Sequence, residues 1–427
     1  MKTTPYKGRI ADALLKKKLK SAGAILIEGP KWCGKTTTAE QAAKSVLYLD
    51  DPAQLKQNLQ MAETDPSLLL TGKNPRLIDE WQLAPSLWDA ARFVVDRSRA
   101  FGRFIFTGSS VPADMSSVKH SGAGRFAWIK MRTMSLFESG ESNGAVSLGA
   151  LFKHIENISG ENPLDLKKIA YAICRGGWPR SVALRNKTAA LEHVFDYFDA
   201  VVSSDISRVD NVRRDAEHAR RLMRSYARHQ GGQVSVGKIR ADMAASDAER
   251  LSEDSVASYI SALKKIFVIE DALAWNPNLR SKTAIRTTDT RYFVDPAIAA
   301  AALGIGPADL LSDLETMGLL FETLCVRDLR VYADALGGNV YHYRDKSDLE
   351  CDAVLHRRDG SYGLIEIKLG GDSLINAAAK NLLALSARID TTRMKAPSFL
   401  MILTGTGKFA YHRSDGIYIV PVGCLTF

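Results

Sequence analysis

The sequence predicts an α/β fold: a parallel sheet with helices on both faces at the N-terminal end, a helical middle, and a second α/β portion at the C-terminal end. Three observations carry this reading. Short β-branched or aromatic runs alternate with helically spaced segments over roughly the first 135 residues. Ala-, Leu- and Arg-rich helical patterns dominate from about 148 to 230. The last 120 residues or so mix one long helical pattern with several strand-like runs.

In order, AILIE (24–28), VLYLD (46–50), RLIDE (76–80) and RFIFTG (103–108) are the expected N-terminal strands. Thr36–Ser45 and Pro85–Ser98 have helical spacing and are expected to cover the sheet. ESGESNGAVS (138–147) is polar and rich in Ser and Gly, which predicts a linker. Within the helical middle, residues 207–228 hold seven arginines against three acids and are read as a solvated, charge-rich helix. Residues 231–295 resemble a small helical unit ending in strands. There, Ser252 followed by Glu253 and Asp254 makes a helix start. Val256, Tyr259, Ile260, Leu263, Ile266 and Phe267 then line an inner face, leaving Ser258, Ser261, Lys264 and Lys265 outside. A helix around Leu319–Ala333 precedes the strand-like runs NVYHYR, ECDAVLHR, YGLIEIKL, SFLMIL and GIYIVPV. No internal repeat is visible.

A chain of 427 residues suggests two to four domains at about 150 residues each. With 46% hydrophobic and 25% charged residues it can bury sizeable cores, which excludes a disordered chain. Gly (31) and Pro (14) are too few for a collagen-like or low-complexity one. No apolar run approaches the roughly 18 residues of a membrane helix, and the charged start MKTTPYKGRIADALLKKKLK does not read as a secretion signal. Five scattered cysteines with no CxxC pair read as reduced thiols, so a cytoplasmic location is expected. The net charge of +9 permits a nucleic-acid partner without requiring one.

GPKWCGKT (29–36) matches G-x-x-x-x-G-K-[ST] between a predicted strand and a predicted helix. A Gly-rich turn that binds nothing is the plainer alternative, but such a match arises by chance in about one chain in a hundred, before that context is counted. The residues Gly29, Pro30, Lys31, Trp32, Cys33, Gly34, Lys35, Thr36 and Thr37 are therefore the expected triphosphate cradle, with ATP and Mg²⁺ as ligands. Gly29 and Gly34 let the backbone close around phosphate, and the helix start near Lys35 adds partial positive charge. Lys35 can reach the β- and γ-phosphates, and the Thr36 hydroxyl can ligate Mg²⁺. RLIDE supplies Asp79 as the second metal ligand and Glu80 as the base for the attacking water. RFIFTGSS ends in Thr107, Ser109 and Ser110, candidates to sense the γ-phosphate from the adjacent strand tip. In HSGAGR (120–125), Arg125 is a candidate to neutralise transition-state charge from a neighbouring subunit, the alternative being a plain surface arginine; His120 is given no role.

Taken in order, GPKWCGKTT, LIDEWQ, FTGSS, GAGR, FAWIKMRTMSLFE, GGWPRS (176–181), DISRVD (205–210), RYFVDPAI (291–298), GLLFETL (318–324) and IEIK (365–368) resemble a group of prokaryotic AAA-type P-loop ATPases fused to a C-terminal nuclease-like domain. The loop departs slightly at Trp32 and Cys33. The resemblance implies a P-loop ATPase domain (1–137), a helical region (148–230), a winged-helix-like unit (231–300) and a PD-(D/E)XK nuclease-like domain (306–427). Delivery of Arg125 to a neighbour's site makes a homo-oligomer the expected assembly.

The last region carries a second constellation. The RRDG turn (357–360) pairs two strands as a hairpin, which brings Asp352 close to Glu366. Glu366 and Lys368, two apart on a strand, point to one face. Together with Glu322 on the preceding helix they resemble a nuclease core able to hold Mg²⁺ and position water; Lys380 lies on the following helix. Ordinary surface ion pairs in a partner-binding module are the competing explanation. Three functions follow as expectations: an ATP-hydrolysing protein acting on or near DNA, an ATP-gated endonuclease, and a non-cleaving switch that binds DNA or protein through the helix 252–267 and its Lys264 and Lys265.

Overall fold

In the computed structural model the described residues are 5–110, 122–155, 157–210, 212–244, 251–276 and 288–427. His120 lies outside them. The chain forms two compact units: Met1–Thr133 with Ser203–Asp215 and Ser261–Val268, and Met134–Val202 with Ala216–Ile260 and Ile269–Phe427. Residues 231–300 therefore fall partly in each.

In the first unit, α1 (Ile10–Lys18) leads to β1 (Ala24–Glu28), α2 (Lys35–Glu40), β2 (Ser45–Tyr48) and α3 (Leu55–Thr64). Then come β3 (Arg76–Asp79), α4 (Ser86–Ser98), β4 (Phe104–Gly108) and β5 (Phe126–Lys130). The strands form one parallel sheet in the order β2-β3-β4-β1-β5. Alternation of side chains along each strand divides the apolar residues between two cores. Ala24, Leu26, Ile78, Phe104 and Phe106 meet Leu87, Trp88, Ala91 and Val95 of α4. Ile25, Ile27, Leu77 and Ile105 face the other way, onto Leu15 of α1 and Ala39 of α2. Burial on both faces explains the near-continuous apolar strands read from the sequence.

One helix is shorter than its spacing predicts. The expected Thr36–Ser45 helix ends at Glu40, because Ser45 already belongs to β2, paired in parallel with Arg76. Residues 41–44 are needed to turn the chain back.

The longer helices of the second unit are, in order, α5 (Leu166–Arg175), α6 (Lys187–Ala200), α7 (Ala216–Arg228), α8 (Val236–Ala244) and α9 (Glu253–Lys265), the last of which runs on into the first unit. It continues through α10 (Pro296–Leu303) and α11 (Leu314–Leu336) to β6 (Gly338–Arg344), β7 (Glu350–Arg357) and β8 (Tyr362–Lys368). Last come α12 (Asp372–Arg388), β9 (Phe399–Thr404), β10 (Phe409–His412) and β11 (Ile417–Pro421). Its mixed sheet runs Gly160–Glu161, β10, β11, β9, β8, β7, β6. Leu364 and Val354 pack on Ala378, Ala379, Leu382 and Leu385 of α12, while α11 packs on β6, β7 and β8.

The segment 138–147, expected to be a linker, is docked instead. Ser142 Oγ donates to the Leu425 carbonyl at 2.7 Å, Asn143 N donates to that of Gly423 at 2.9 Å, and Val146 pairs in parallel with Leu425. Its polar composition serves main-chain hydrogen bonding rather than solvation.

A buried ionic cluster ties three sequence motifs together. Arg327 on α11 pairs with Asp295 at 3.1 Å and Asp328 at 2.7 Å, all three side chains being almost fully buried. Asp295 also accepts the Gly177 N–H at 3.0 Å and caps α10 at Ala297, while Asp328 accepts the Leu136 N–H at 2.9 Å. GGWPRS and RYFVDPAI thus meet at a structural clasp. Its charges are tolerable because each carries hydrogen-bonding partners.

Candidate active site

The phosphate loop occupies the turn between β1 and α2, in the middle of the first sheet. Gly29, at φ 155°, passes so close to the end of β5 that an added Cβ would meet the Met131 carbonyl oxygen at 2.0 Å. Any side chain here would push the loop off its seat. Gly34 caps α2 with φ 101°, a conformation that costs glycine little. Cys33 is fully buried in the core shared with α1, and its thiol faces the Met131 carbonyl at 3.7 Å. Trp32 instead stands 52% exposed at φ 63°. The two positions that depart from the resembled pattern thus differ sharply: one anchors the loop and the other faces outward.

Lys35 is buried, and its Nζ donates to the carbonyls of Gly29 at 3.0 Å and Pro30 at 2.8 Å. The ammonium is thereby held inside the curve of the loop. Thr36 Oγ1 donates to Asp79 Oδ1 at 2.9 Å, and the Thr107 hydroxyl donates to the same oxygen. Because β4 lies between β1 and β3, Thr107 at its tip is the natural bridge. Burial pushes the Asp79 carboxyl above the ordinary carboxylate range, opposed by those two hydroxyls. A buried carboxylate beside a hydroxyl at a helix start is a donor set suited to a hard divalent cation.

Glu80 follows directly, at φ 55°. A left-handed conformation costs a non-glycine residue about 1–2 kcal/mol, and here it turns the carboxylate out of the strand. Ser109 Oγ donates to Glu80 Oε2 at 3.1 Å, and the Gln82 amide donates to the same oxygen. The expected sensor positions thus divide, Thr107 serving Asp79 and Ser109 serving Glu80.

Arg9 plays a part that sequence reading did not assign. Arg9 is buried, and its guanidinium donates from Nη1 to the Cys33 carbonyl at 2.8 Å and from Nη2 to the Arg132 carbonyl at 2.9 Å. It clamps the loop to the chain leaving β5. Nothing in the segment PYKGRI signals this, since the acceptors are main-chain atoms distant in sequence.

Arg125 precedes β5, whereas the loop follows β1, which pairs with β5 in parallel. The two therefore lie at opposite ends of strands about 17 Å long. Arg125 pairs with Asp96 at 2.6 Å and is 49% exposed; it does not reach the loop of its own chain.

In the second unit, Lys368 Nζ lies 3.0 Å from Asp352 and 2.7 Å from Glu366. Asp352 also accepts the Ile367 N–H at 2.7 Å. Tyr292 donates its hydroxyl to Glu322, against which Gly231 packs so closely that a Cβ would come within 2.7 Å. Burial, then the Asp352 charge, raises both Glu322 and Glu366 well above the usual carboxylate range. Among the described residues no three His, Cys, Asp or Glu side chains stand close enough to hold a metal ion. Lys380 is exposed on α12.

Among the described residues, arginines of 207–228 form ion pairs: Arg214 with Asp210, Arg220 with Asp199, Arg221 with Glu217 and Arg228 with Asp242. All six expected inner-face residues are buried, four of them on α9 and Ile266 and Phe267 in the turn that follows it, and the Ser252 hydroxyl accepts the Ser255 N–H at 3.1 Å. Lys264 is exposed, and Lys265 pairs with Asp210 at 3.4 Å. No described helix is long and apolar enough to cross a membrane.

Fold and loop together give the N-terminal part the architecture of a P-loop domain, and residues 21–139 match the family model described as AAA domain. Residues 166–309 and 317–425 match two domains of unknown function, DUF8612 and DUF4143. The chain is 25% identical to the uncharacterized proteins Mb2031c of Mycobacterium bovis and Rv2008c of Mycobacterium tuberculosis, over 97% of its own length and 83% of theirs. Among solved structures it is similar to the Walker-type ATPase PABY2304 of Pyrococcus abyssi, at 12% identity and a TM-score of 0.42, covering 70% of this chain and 96% of that one. A half-complex of Thermococcus gammatolerans McrB AAA+ hexamers with bound McrC gives 11% identity and a TM-score of 0.18, covering 47% and 70%.

Proposed function

We propose that the protein is a Mg²⁺-dependent ATPase that hydrolyses ATP at the loop 29–37. The observation that carries this reading is the convergence of Thr36 and Thr107 on one oxygen of Asp79 beside the buried Lys35. The loop amides and Lys35 bind the phosphates, while Thr36 and Asp79 hold the cation. When bound, Mg²⁺ neutralises phosphate charge. Glu80, oriented by Ser109 and Gln82, takes the proton from the attacking water and lies ready because its backbone is already turned outward. Arg125 would serve a neighbour's site, which makes a homo-oligomer the working assembly. DNA is the proposed macromolecular partner, supported by the net charge of +9.

Phosphate release from MgATP tests the reading. Wild-type turnover that disappears with EDTA, in Lys35→Ala and in Glu80→Gln supports it; turnover retained by either variant removes the assignment.

A second reading, ATP-gated cleavage of nucleic acid, rests on Glu366 Oε1, a buried carboxylate oxygen with no hydrogen-bond partner among the described residues. Asp352 and Glu366 would hold a cation in place of Lys368, and Glu322, expected on the same ion, does not join them as a third ligand in the described arrangement. Plasmid incubated with Mg²⁺ or Mn²⁺, with and without ATP, tests it: nicking abolished by Glu366→Gln supports cleavage, and intact plasmid throughout rejects it.

A further inference from the structure

The motif DISRVD (205–210) has no part in the ATPase chemistry above, yet Ser203–Asp215 belongs to the compact unit that carries the phosphate loop. Its first residue explains why. Asp205 Oδ1 lies 2.6 Å from Nζ of Lys31, the second residue after Gly29. The carboxylate side chain is 9% exposed, so it is committed to this position, whereas Lys31 remains 41% exposed and can move. Asp205 ends a five-residue π-helical turn, Val201–Asp205. Such turns are rare, and they recur at functional sites.

The rest of the segment is built to hold Asp205 still. Arg214, its side chain 3% exposed, donates to the Ile206 carbonyl at 2.8 Å and grips Asp210 with two hydrogen bonds of 2.6 and 2.9 Å. The Ser207 hydroxyl accepts the Arg214 N–H at 3.0 Å, closing the bend. Asp210 in turn pairs with Lys265 in the last turn of α9 at 3.4 Å.

Resting on the ATPase reading, we propose that Asp205 is a positioning residue for the triphosphate, competing with its phosphates for the Lys31 ammonium. A phosphate chain seated on the loop amides brings three or more negative charges beside the loop that carries Lys31. The ammonium then exchanges one anionic partner for another, and Asp205 loses its partner. Nucleotide occupancy is thereby felt along 205–214 and, through Asp210, at Lys265. Neither Lys31 nor Asp205 takes part in bond breaking.

The experiment is calorimetric titration of the full chain with MgATP and with adenosine, using wild type, Asp205→Asn, Lys31→Met and the double variant. Asp205→Asn is expected to bind MgATP about threefold to tenfold more tightly, the scale of a partly screened ion pair, with adenosine unchanged. In the Lys31→Met background the same substitution is expected to have no effect, whereas a purely structural role would lower the unfolding midpoint and weaken binding in both backgrounds. Equal MgATP affinity of Asp205→Asn and wild type, or an effect that persists without Lys31, overturns the proposal. Failure of wild type itself to bind MgATP would instead remove the ATPase reading, which keeps the two outcomes apart.

Discussion

Thr36 Oγ1 and Asp79 Oδ1, 43 residues apart in sequence, are joined by a hydrogen bond of 2.9 Å across the tip of the parallel sheet. The first comes from the helix that opens after the loop, the second from a strand two positions away in the sheet. In the proposed ATPase reading, that bond would fix where a cation sits relative to the phosphates, and hence where Glu80 would act.

Substituting Glu80 separates binding from turnover. Glu80→Gln keeps the size and the hydrogen bond from Ser109 but removes the basic site. MgATP affinity is expected to stay within about twofold while turnover falls by 10² to 10⁴, about the range that general-base catalysis contributes. Single-turnover phosphate release beside an equilibrium binding curve checks this, and equal losses in both would count against Glu80 as the base.

Arg9 is expected to matter without touching phosphate. Arg9→Ala removes the donors to the Cys33 and Arg132 carbonyls and should destabilise the first unit by about 2–4 kcal/mol, with weaker MgATP binding. Arg9→Lys, with one donor direction instead of a fork, should fall between the two. Urea unfolding of the three proteins tests the order; an Arg9→Ala midpoint equal to wild type would show that the clamp contributes nothing.

Much of the first unit was legible because fully buried strands have an unmistakable composition: the apolar stretches of AILIE, RLIDE and RFIFTG are core on both faces, and α4 at Ser86–Ser98 starts one residue after the expected Pro85–Ser98. The loop and the acids at the strand end were legible as short motifs, and the structure brings Thr36, Asp79 and Thr107 of those motifs together. What escaped was long-range. Arg9 meets main-chain carbonyls that no pattern announces, and Lys31 meets an acid 174 residues away. Strand β10 was missed because three of its four residues are exposed, leaving no alternation to read. The 138–147 segment looked like a linker because its serines and asparagine are polar; the polarity is spent on the C-terminal strand.

The buried clasp should be costly to break on one side. Arg327→Met leaves Asp295 and Asp328 buried with much of their compensation gone, and a loss of about 3–5 kcal/mol is expected from denaturant unfolding. A change below about 1 kcal/mol would mean that the clasp is already neutral in charge or that water reaches it.

Glu366 gives the second unit a pH signature. Its carboxyl is raised by burial and by Asp352, so the folded state binds its proton more tightly than the unfolded one. The associated stability is full below the ordinary carboxylate range, about 4.3 for a free side chain, and is lost as pH rises through the elevated folded value. The unfolding midpoint of wild type should therefore decline between about pH 5 and pH 9 more steeply than that of Glu366→Gln. Parallel curves for the two proteins would show that Glu366 stays ionised throughout.

The most direct test of the account is titration of the folded chain with MgATP in a calorimeter, wild type beside Lys35→Ala. Saturable binding by wild type, weakened about a hundredfold or more when the buried ammonium is removed, is the predicted result. Identical heats from the two proteins, or none from wild type, would contradict the claim that the loop between β1 and α2 exists to hold a triphosphate.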